Sequence, residues 1–394
     1  MRWASSLSVA SSLEVAAREA CEQISGELGG ETPDLILAFV SSRHGGERER
    51  LPGLVRRCLG GGLLVGCSAS GVIGRGTEAE ARPALSLTAA VLPDVDLIPF
   101  HLGTTGMPGP GARPAEWERC LGVSAERGPH FLLFPEPRTF PVEPVLSELD
   151  RAYPMTVKAG GVASAGPHGD VLYLGGSAYH GGAVGVAMAG NVEIDPVVAQ
   201  GCRPIGEPMF VTRCQGTAVF ELDGRPAATV LHELYERAEE KERKLFRRAL
   251  CMGIVMRRSQ QEYRPGDFLV RNLVGLDEES GAVVVAAAVE ENQVVQFHVR
   301  DARASARDLD ELLERYARDH RRPRPEGALL FSCVGRGMAL YGRPDHDTGV
   351  FRAHLGEVPL GGFFCNGEIG MVQGRTFLHG YTSSFALFRG RARA

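Results

Sequence analysis

The 394-residue chain has no basic excess: 43 Lys and Arg stand against 48 Asp and Glu, and a net charge of −5 leaves nothing to neutralise a phosphate backbone. That argues against nucleic acid as a partner. Long hydrophobic runs are absent too. The longest strongly apolar stretch, Ala282 to Val289, is far too short to cross a bilayer, so no membrane span is expected. Cysteine is sparse and unpaired: nine residues, an odd number, sit singly with no C-x-x-C spacing. This argues against a disulfide framework and a structural zinc site, and fits a reducing cytoplasm. No cofactor and no metal are expected.

What the chain does contain is a pattern met three times. An apolar run is followed about thirty residues later by a short extended segment and a stretch bounded by glycines. The runs are Leu35 to Val40, Phe131 to Phe134 and Ala328 to Cys333; the stretches are Gly66 to Gly71, Gly161 to Gly166 and Gly362 to Gly367. The separations from the start of each run to the first glycine are 31, 30 and 34 residues. With 50 glycines in the chain, spacing alone decides little; position just after an extended segment is the evidence. The expectation is that three glycine loops occupy equivalent strand ends.

Amphipathic helices precede each run, over 12–28, 114–125 and 305–320. Between the second and third repeats the pattern changes. Residues 267–274, 281–290 and 294–301 read as a three-stranded antiparallel meander, and 227–248 as one helix with a charged, solvated second half. The fold class expected is α/β with mixed parallel and antiparallel sheets covered by helices, in two domains, 1–205 and 206–394.

Several ordered strings resemble the FIST family. Asp267-Phe-Leu-Val-Arg-Asn-Leu-Val-Gly-Leu-Asp277 with Val294-Val-Gln-Phe-His-Val-Arg-Asp301 is similar to the carboxyl-terminal half of a FIST domain. Gly66-Cys-Ser-Ala-Ser-Gly-Val-Ile-Gly74 resembles the glycine motif of the amino-terminal half. Further matches, in order, are Gly201 to Gly206, Glu221 to Ala227, Phe331 to Arg336 and Gly367 to Gly370. The resemblance implies a sensory module of signal transduction with an amino-acid-like ligand, and a protein partner to carry its output.

Neither Gly66–Gly71 nor Gly362–Gly367 is followed by Lys-Ser or Lys-Thr, which excludes a P-loop. Around Ser68 the frame is Gly-x-Ser-x-Ser, so it is not a nucleophile elbow. Two uses remain open for the loops: backbone nests for an anion, or tight turns that let strands approach. A zwitterion needs a donor fork and an acceptor, which Arg336 and Glu368 would supply; Asn366 and Gly66, Cys67, Ser68, Ser70 and Gly71 would form the rim. Arg336 and Glu368 can equally form a structural ion pair. Cys67, Cys333 and Cys365 read as buried structural thiols, with a cysteine-dependent enzyme using Cys67 or Cys365 as one rival function and a ligand-free scaffold as another. Asp345-His-Asp347 reads as a solvated loop.

Overall fold

In the computed structural model, which describes residues 1–166, 169–257, 262–264, 266–277, 279–319 and 323–391, the chain divides into two compact units. The first comprises Met1–Val198, Asp310–Leu378 and Thr382–Ala394, the second Ala199–Leu309 and His379–Tyr381. Glu278, between the first two strands of the expected meander, and His320, the end of the third expected helix, lie outside the described residues. Among the described residues no helix is long and apolar enough to cross a membrane.

The first repeat runs β1 (Arg2–Ser8), α1 (Leu13–Glu27), β2 (Leu35–Ser41), α2 (Leu51–Leu59), β3 (Leu63–Ala69), β4 (Gly71–Gly74), β5 (Thr77–Glu80), β6 (Leu85–Val91) and β7 (Val95–Leu102). The second runs α3 (Pro114–Leu121), β8 (His130–Pro135), α4 (Val142–Ala152), β9 (Lys158–Gly161), β10 (Leu172–Leu174), β11 (Ser177–Tyr179), β12 (Ala183–Gly190) and β13 (Glu193–Ala199). The second unit holds β14 (Cys202–Gln215), β15 (Ala218–Leu222), β16 (Arg225–Pro226), α5 (Ala227–Arg237), α6 (Glu240–Ala249), β17 (Leu250–Val255), β18 (Phe268–Asp277), β19 (Ala282–Val285) and β20 (Val294–Arg300). The third repeat follows with α7 (Ala302–Arg318), β21 (Gly327–Cys333), α8 (Met338–Tyr341), α9 (His346–Leu355), β22 (Leu360–Cys365), β23 (Glu368–Val372), β24 (Arg375–His379) and β25 (Ser383–Arg389).

Three sheets of the first unit share one plan: β1-β6-β2-β3-β10-β11, β7-β12-β8-β9-β23-β24 and β13-β25-β21-β22-β4-β5. At the centre of each lies a parallel pair, β2 with β3, β8 with β9 and β21 with β22, joined by a helical crossover as parallel neighbours require. Each repeat then sends its hairpin to the sheet of another repeat: β4 pairs β22, β10 pairs β3 and β23 pairs β9. One side of every sheet is thus supplied by another repeat, which ties the three repeats together.

Both faces of the central strands are buried, so they read as continuous apolar runs rather than alternating ones. On β2, Leu35, Leu37 and Phe39 face a core shared by all three sheets, while Ile36, Ala38 and Val40 face α1 and α2. Phe39, Phe134 and Phe331 occupy the same register position in the three repeats and meet in that core, with ring centroids 5.5 Å apart for Phe39–Phe134 and 6.0 Å for Phe134–Phe331.

The glycines mark the repeat, but inside strands rather than in loops. A Cβ on Gly66 would lie 1.9 Å from the Ala38 carbonyl oxygen, on Gly160 the same distance from that of Leu133, and on Gly362 from that of Leu330. In each case the oxygen belongs to the residue paired with the glycine across the parallel ladder. The equivalent residue of the second repeat is therefore Gly160, not Gly161 as the sequence spacing suggested. Only a glycine lets these strands approach.

In the second unit, β14 pairs with both β20 and β15, which closes β14-β20-β17-β18-β19-β15 into a six-stranded antiparallel barrel. Val211, Val219, Met252, Val283, Val295 and Phe297 fill it. Two expectations fail here. β19 and β20 are not neighbours: β20 lies between β14 and β17, so the long-range pairing with β14 prevails over the short connection. The helix expected over 227–248 breaks at Ala238 and Glu239, where the backbone is extended and Arg243 caps the Tyr235 and Glu236 carbonyls at 3.1 and 2.6 Å.

Candidate functional site

Counting on from the three paired glycines, Ser70, Ser164 and Asn366 take the same place at the ends of β3, β9 and β22. There the repeats touch. The Asn366 amide donates to the Val162 carbonyl at 3.0 Å, and the Ser164 amide to the Ser68 carbonyl at 3.4 Å. The third link is indirect: the Ser164 hydroxyl accepts the Ser70 amide at 3.0 Å and donates to the Phe364 carbonyl. The first and third repeats are thereby held apart by one hydroxyl.

Beside this link lies a cavity of about 370 Å³, lined from all three repeats. Its volume falls within the range of about 300–1,000 Å³ found for small-molecule sites. Ser42 and Arg43 enter from the end of β2, Glu80 and Ala81 from the end of β5, and Val334 from the end of β21; Ser70, Gly71, Ala165 and Phe364 complete the wall. Phe364 is buried and Val334 is 41% exposed, which gives the cavity an apolar side. Ala81 has φ of 53°, a left-handed conformation that a non-glycine residue adopts at a cost of about 1–3 kcal/mol.

Two opposite charges face the cavity. Arg43 is exposed, and its guanidinium has no hydrogen-bond or ion-pair partner among the described residues. Glu80 is half-buried, and its Oε1 accepts the Met338 amide at 2.9 Å. Burial pushes its carboxyl up from the ordinary value, and the Met338 hydrogen bond pulls it partly back. Gly337 makes that contact possible, because a Cβ there would fall 2.4 Å from Glu80 Oε1. A larger trough of about 810 Å³ runs along Pro196–Val198, α7 and Met371–Val372, but none of the repeated strand ends reaches it.

The expected site residues divide. Ser70 and Gly71 line the cavity. Asn366 stands at the junction of the repeats, its side-chain Nδ2 donating to the Ala163 carbonyl at 3.0 Å. Gly66, Cys67 and Ser68 are buried within β3, and the Ser68 hydroxyl is used by the Val171 amide at 2.8 Å. A nest is ruled out for these stretches, because the amides of Ser68, Ser70, Val162, Ser164 and Asn366 are all committed to other groups.

Arg336 and Glu368 are not presented to this cavity. Arg336 is fully buried and forks onto Asp347, Nε to Oδ2 at 2.8 Å and Nη2 to Oδ1 at 3.0 Å, with Tyr341 at 2.7 Å. Asp347 also accepts from Ser332 and Ser383, and its carboxyl is held well below the usual range by Arg336 despite burial. Asp345-His-Asp347 is accordingly no solvated loop: His346 and Asp347 are buried at the start of α9. Glu368 is also fully buried, accepting from the Thr382 amide and hydroxyl at 3.0 and 2.8 Å and from the Cys365 thiol at 3.4 Å. Burial raises its carboxyl to about 7. Burial likewise pushes the Cys67 and Cys365 thiols well up, away from nucleophilic character.

The residues that sequence reading passed over are Arg43 and Glu80. Arg43 did carry a signal, since it lies just past the end of the first apolar run, whereas Glu80 reaches the cavity only through pairing of β4 and β5 with another repeat's sheet. Among the described residues no group of three or more His, Cys, Asp or Glu side chains could hold a metal ion.

The FIST N domain model matches residues 34–225 and the FIST C domain model residues 227–371. An uncharacterized protein of Mycobacterium tuberculosis is 38% identical over 392 residues, covering 98% of this chain and 100% of its own. One of Mycobacterium bovis is 36% identical over 378 residues, covering 95% of each. Among solved structures, a cyanuric acid hydrolase from A. caulinodans shows a likeness over 99% of this chain and 100% of its own at 10% identity and a TM-score of 0.28, too low to carry an argument. The chain belongs to the FIST family, whose domains are generally sensory modules of signal transduction.

Proposed function

We propose that the cavity between the strand ends is the sensory site, and that it takes a small zwitterion of amino-acid type without transforming it. The observation that carries this reading is the pairing in one cavity of an unengaged guanidinium, Arg43, with a carboxylate, Glu80, beside the serines Ser42 and Ser70. A carboxylate needs a donor fork and an ammonium group an acceptor, and these residues supply both. Phe364 and Val334 offer an apolar side for the remainder of the ligand. Among the described residues no thiol lines the cavity, and Cys67 and Cys365 are buried with their thiols raised, which disfavours cysteine chemistry.

The output passes to a partner protein. Glu80 holds the Met338 amide, and Met338 is itself 48% exposed, so a ligand that engages Glu80 acts directly on a surface residue. A thermal-shift screen with proteinogenic amino acids tests the proposal. A ligand of the native state raises the midpoint, by an amount that grows with the logarithm of its concentration above Kd, and the rise is lost in Arg43→Ala. A rise that persists in Arg43→Ala, or none with any amino acid, would count against it.

A further inference from the structure

Arg43 sits in the short helical segment Ser42–Arg50, which follows β2. The start of that segment is tied to the strand end that carries Glu80. Ser41, fully buried, accepts the Arg43 amide on its hydroxyl at 3.3 Å and donates to the Arg82 carbonyl at 2.8 Å, two residues past Glu80. Gly45 then breaks the helix, with φ of 58° and ψ of −136°, a conformation that glycine alone adopts readily. Glycine is also the freest residue of a chain, so this kink needs a tie of its own.

Arg48 supplies it. The residue is 5% exposed; its Nε donates back across the kink to the Gly45 carbonyl at 2.7 Å, and its Nη1 donates to the Gly169 carbonyl at 2.9 Å. Gly169 lies on the loop after β9, in the second repeat. The same loop reaches the cavity, where the Asp170 carboxylate accepts the amide of the lining residue Ala165 at 2.7 Å. From β10, the buried Tyr173 hydroxyl donates to the main-chain carbonyl of Arg48 at 3.1 Å. A guanidinium suits this place, since its donors are fixed in one plane and meet two carbonyls at once, whereas an ammonium is a compact point charge. Buried donors and carbonyls left unmatched would be costly.

We infer that Arg48 is a positioning residue of the sensory site, a buried fork that locks the Gly45 kink and ties the arm bearing Arg43 to the loop bearing Ala165. The inference rests on the reading of Arg43 as the group that meets the ligand's carboxylate. Arg48 acts through Arg43 and Ala165, which line the cavity, and governs the carboxylate end of the ligand more than the amine end, because Glu80 stands on β5 and is held separately by the Met338 amide.

Calorimetric titration of wild type, Arg48→Lys and Arg48→Gln with L-leucine, isopentylamine, which lacks the carboxylate, and isocaproate, which lacks the amine, tests this. If the thermal-shift screen selects another amino acid, that one and its two analogues take their place. In wild type, loss of the carboxylate should weaken binding about tenfold to a hundredfold. Each Arg48 variant should cut that factor about threefold or more, and leave the factor for the amine unchanged. Tyr173→Phe is the structural control: it removes a buried hydrogen bond to the Arg48 main chain, and should lower the unfolding midpoint while keeping both factors. Amide hydrogen exchange without ligand reads the tie itself, and should quicken over Ser42–Arg50 in the Arg48 variants. An unchanged carboxylate factor, an equal fall in both factors, or failure of both Arg48 variants to fold would overturn the inference and leave Arg48 a structural residue. If wild type binds no amino acid, the sensory reading fails instead, and exchange then decides: quickening confined to Ser42–Arg50 supports the positioning role, and unchanged exchange there overturns it.

Discussion

The Ser164 hydroxyl accepts the Ser70 amide at 3.0 Å and donates its own hydrogen bond to the Phe364 carbonyl, so one side chain replaces a direct link between two repeats. Removing it leaves a partly buried amide and a buried carbonyl unmatched. Ser164→Ala should cost about 1–3 kcal/mol in urea unfolding, the penalty for an unsatisfied buried group. It should weaken ligand binding as well, since Ser70 and Phe364 both line the cavity. An unchanged midpoint would show that the bridge does not hold the repeats.

Gly66→Ala, Gly160→Ala and Gly362→Ala should each destabilise by about 1–3 kcal/mol or more, because the added carbon meets main chain and not a side chain that can turn away. Gly26→Ala serves as the contrast. It sits in α1 with open space around it, and alanine there should stabilise by up to about 1 kcal/mol. The sequence shows the glycines but not their register: at Gly160 and Gly161 two candidates stand side by side, and only pairing with Leu133 distinguishes them.

Arg336→Ala should lower stability by about 3–5 kcal/mol, the loss expected when one partner of a buried ion pair is removed. Chemical denaturation measures this. The residue follows β21, where a ligand fork could have been placed, and sequence alone left both uses open. What decides between them is α9, which brings Asp347 back onto β21 from a position the local pattern does not reveal. The same holds for Glu368, which is satisfied by Thr382 from beyond the next hairpin. By contrast α1, α3 and α7 and the apolar strands β2, β8 and β21 are legible, since each rests on periodicity within a short stretch, and the repeat is legible in their spacing.

Glu368 also gives a pH dependence. Its carboxyl titrates near 7 in the fold against an ordinary 4.5, so the native state holds a proton that the unfolded chain releases. Its contribution to stability is full below about pH 4.5 and is lost as pH rises toward 7. Glu368→Gln, which keeps the neutral form, should flatten the fall in stability across that window relative to wild type. A slope that is the same in both proteins would show that Glu368 is ionised at low cost.

Isothermal titration calorimetry with charge-deleted ligands tests the sensory site most directly. An amino acid that binds the wild-type chain is compared with its analogue lacking the carboxylate and its analogue lacking the amine. The expected result is that each deletion weakens binding by about 1.5–3 kcal/mol, the value of a hydrogen bond to a charged group. Arg43→Ala should then be indifferent to loss of the carboxylate, and Glu80→Gln largely indifferent to loss of the amine. Equal sensitivity to both deletions in wild type and in both variants would contradict the assignment of Arg43 and Glu80 to the ligand.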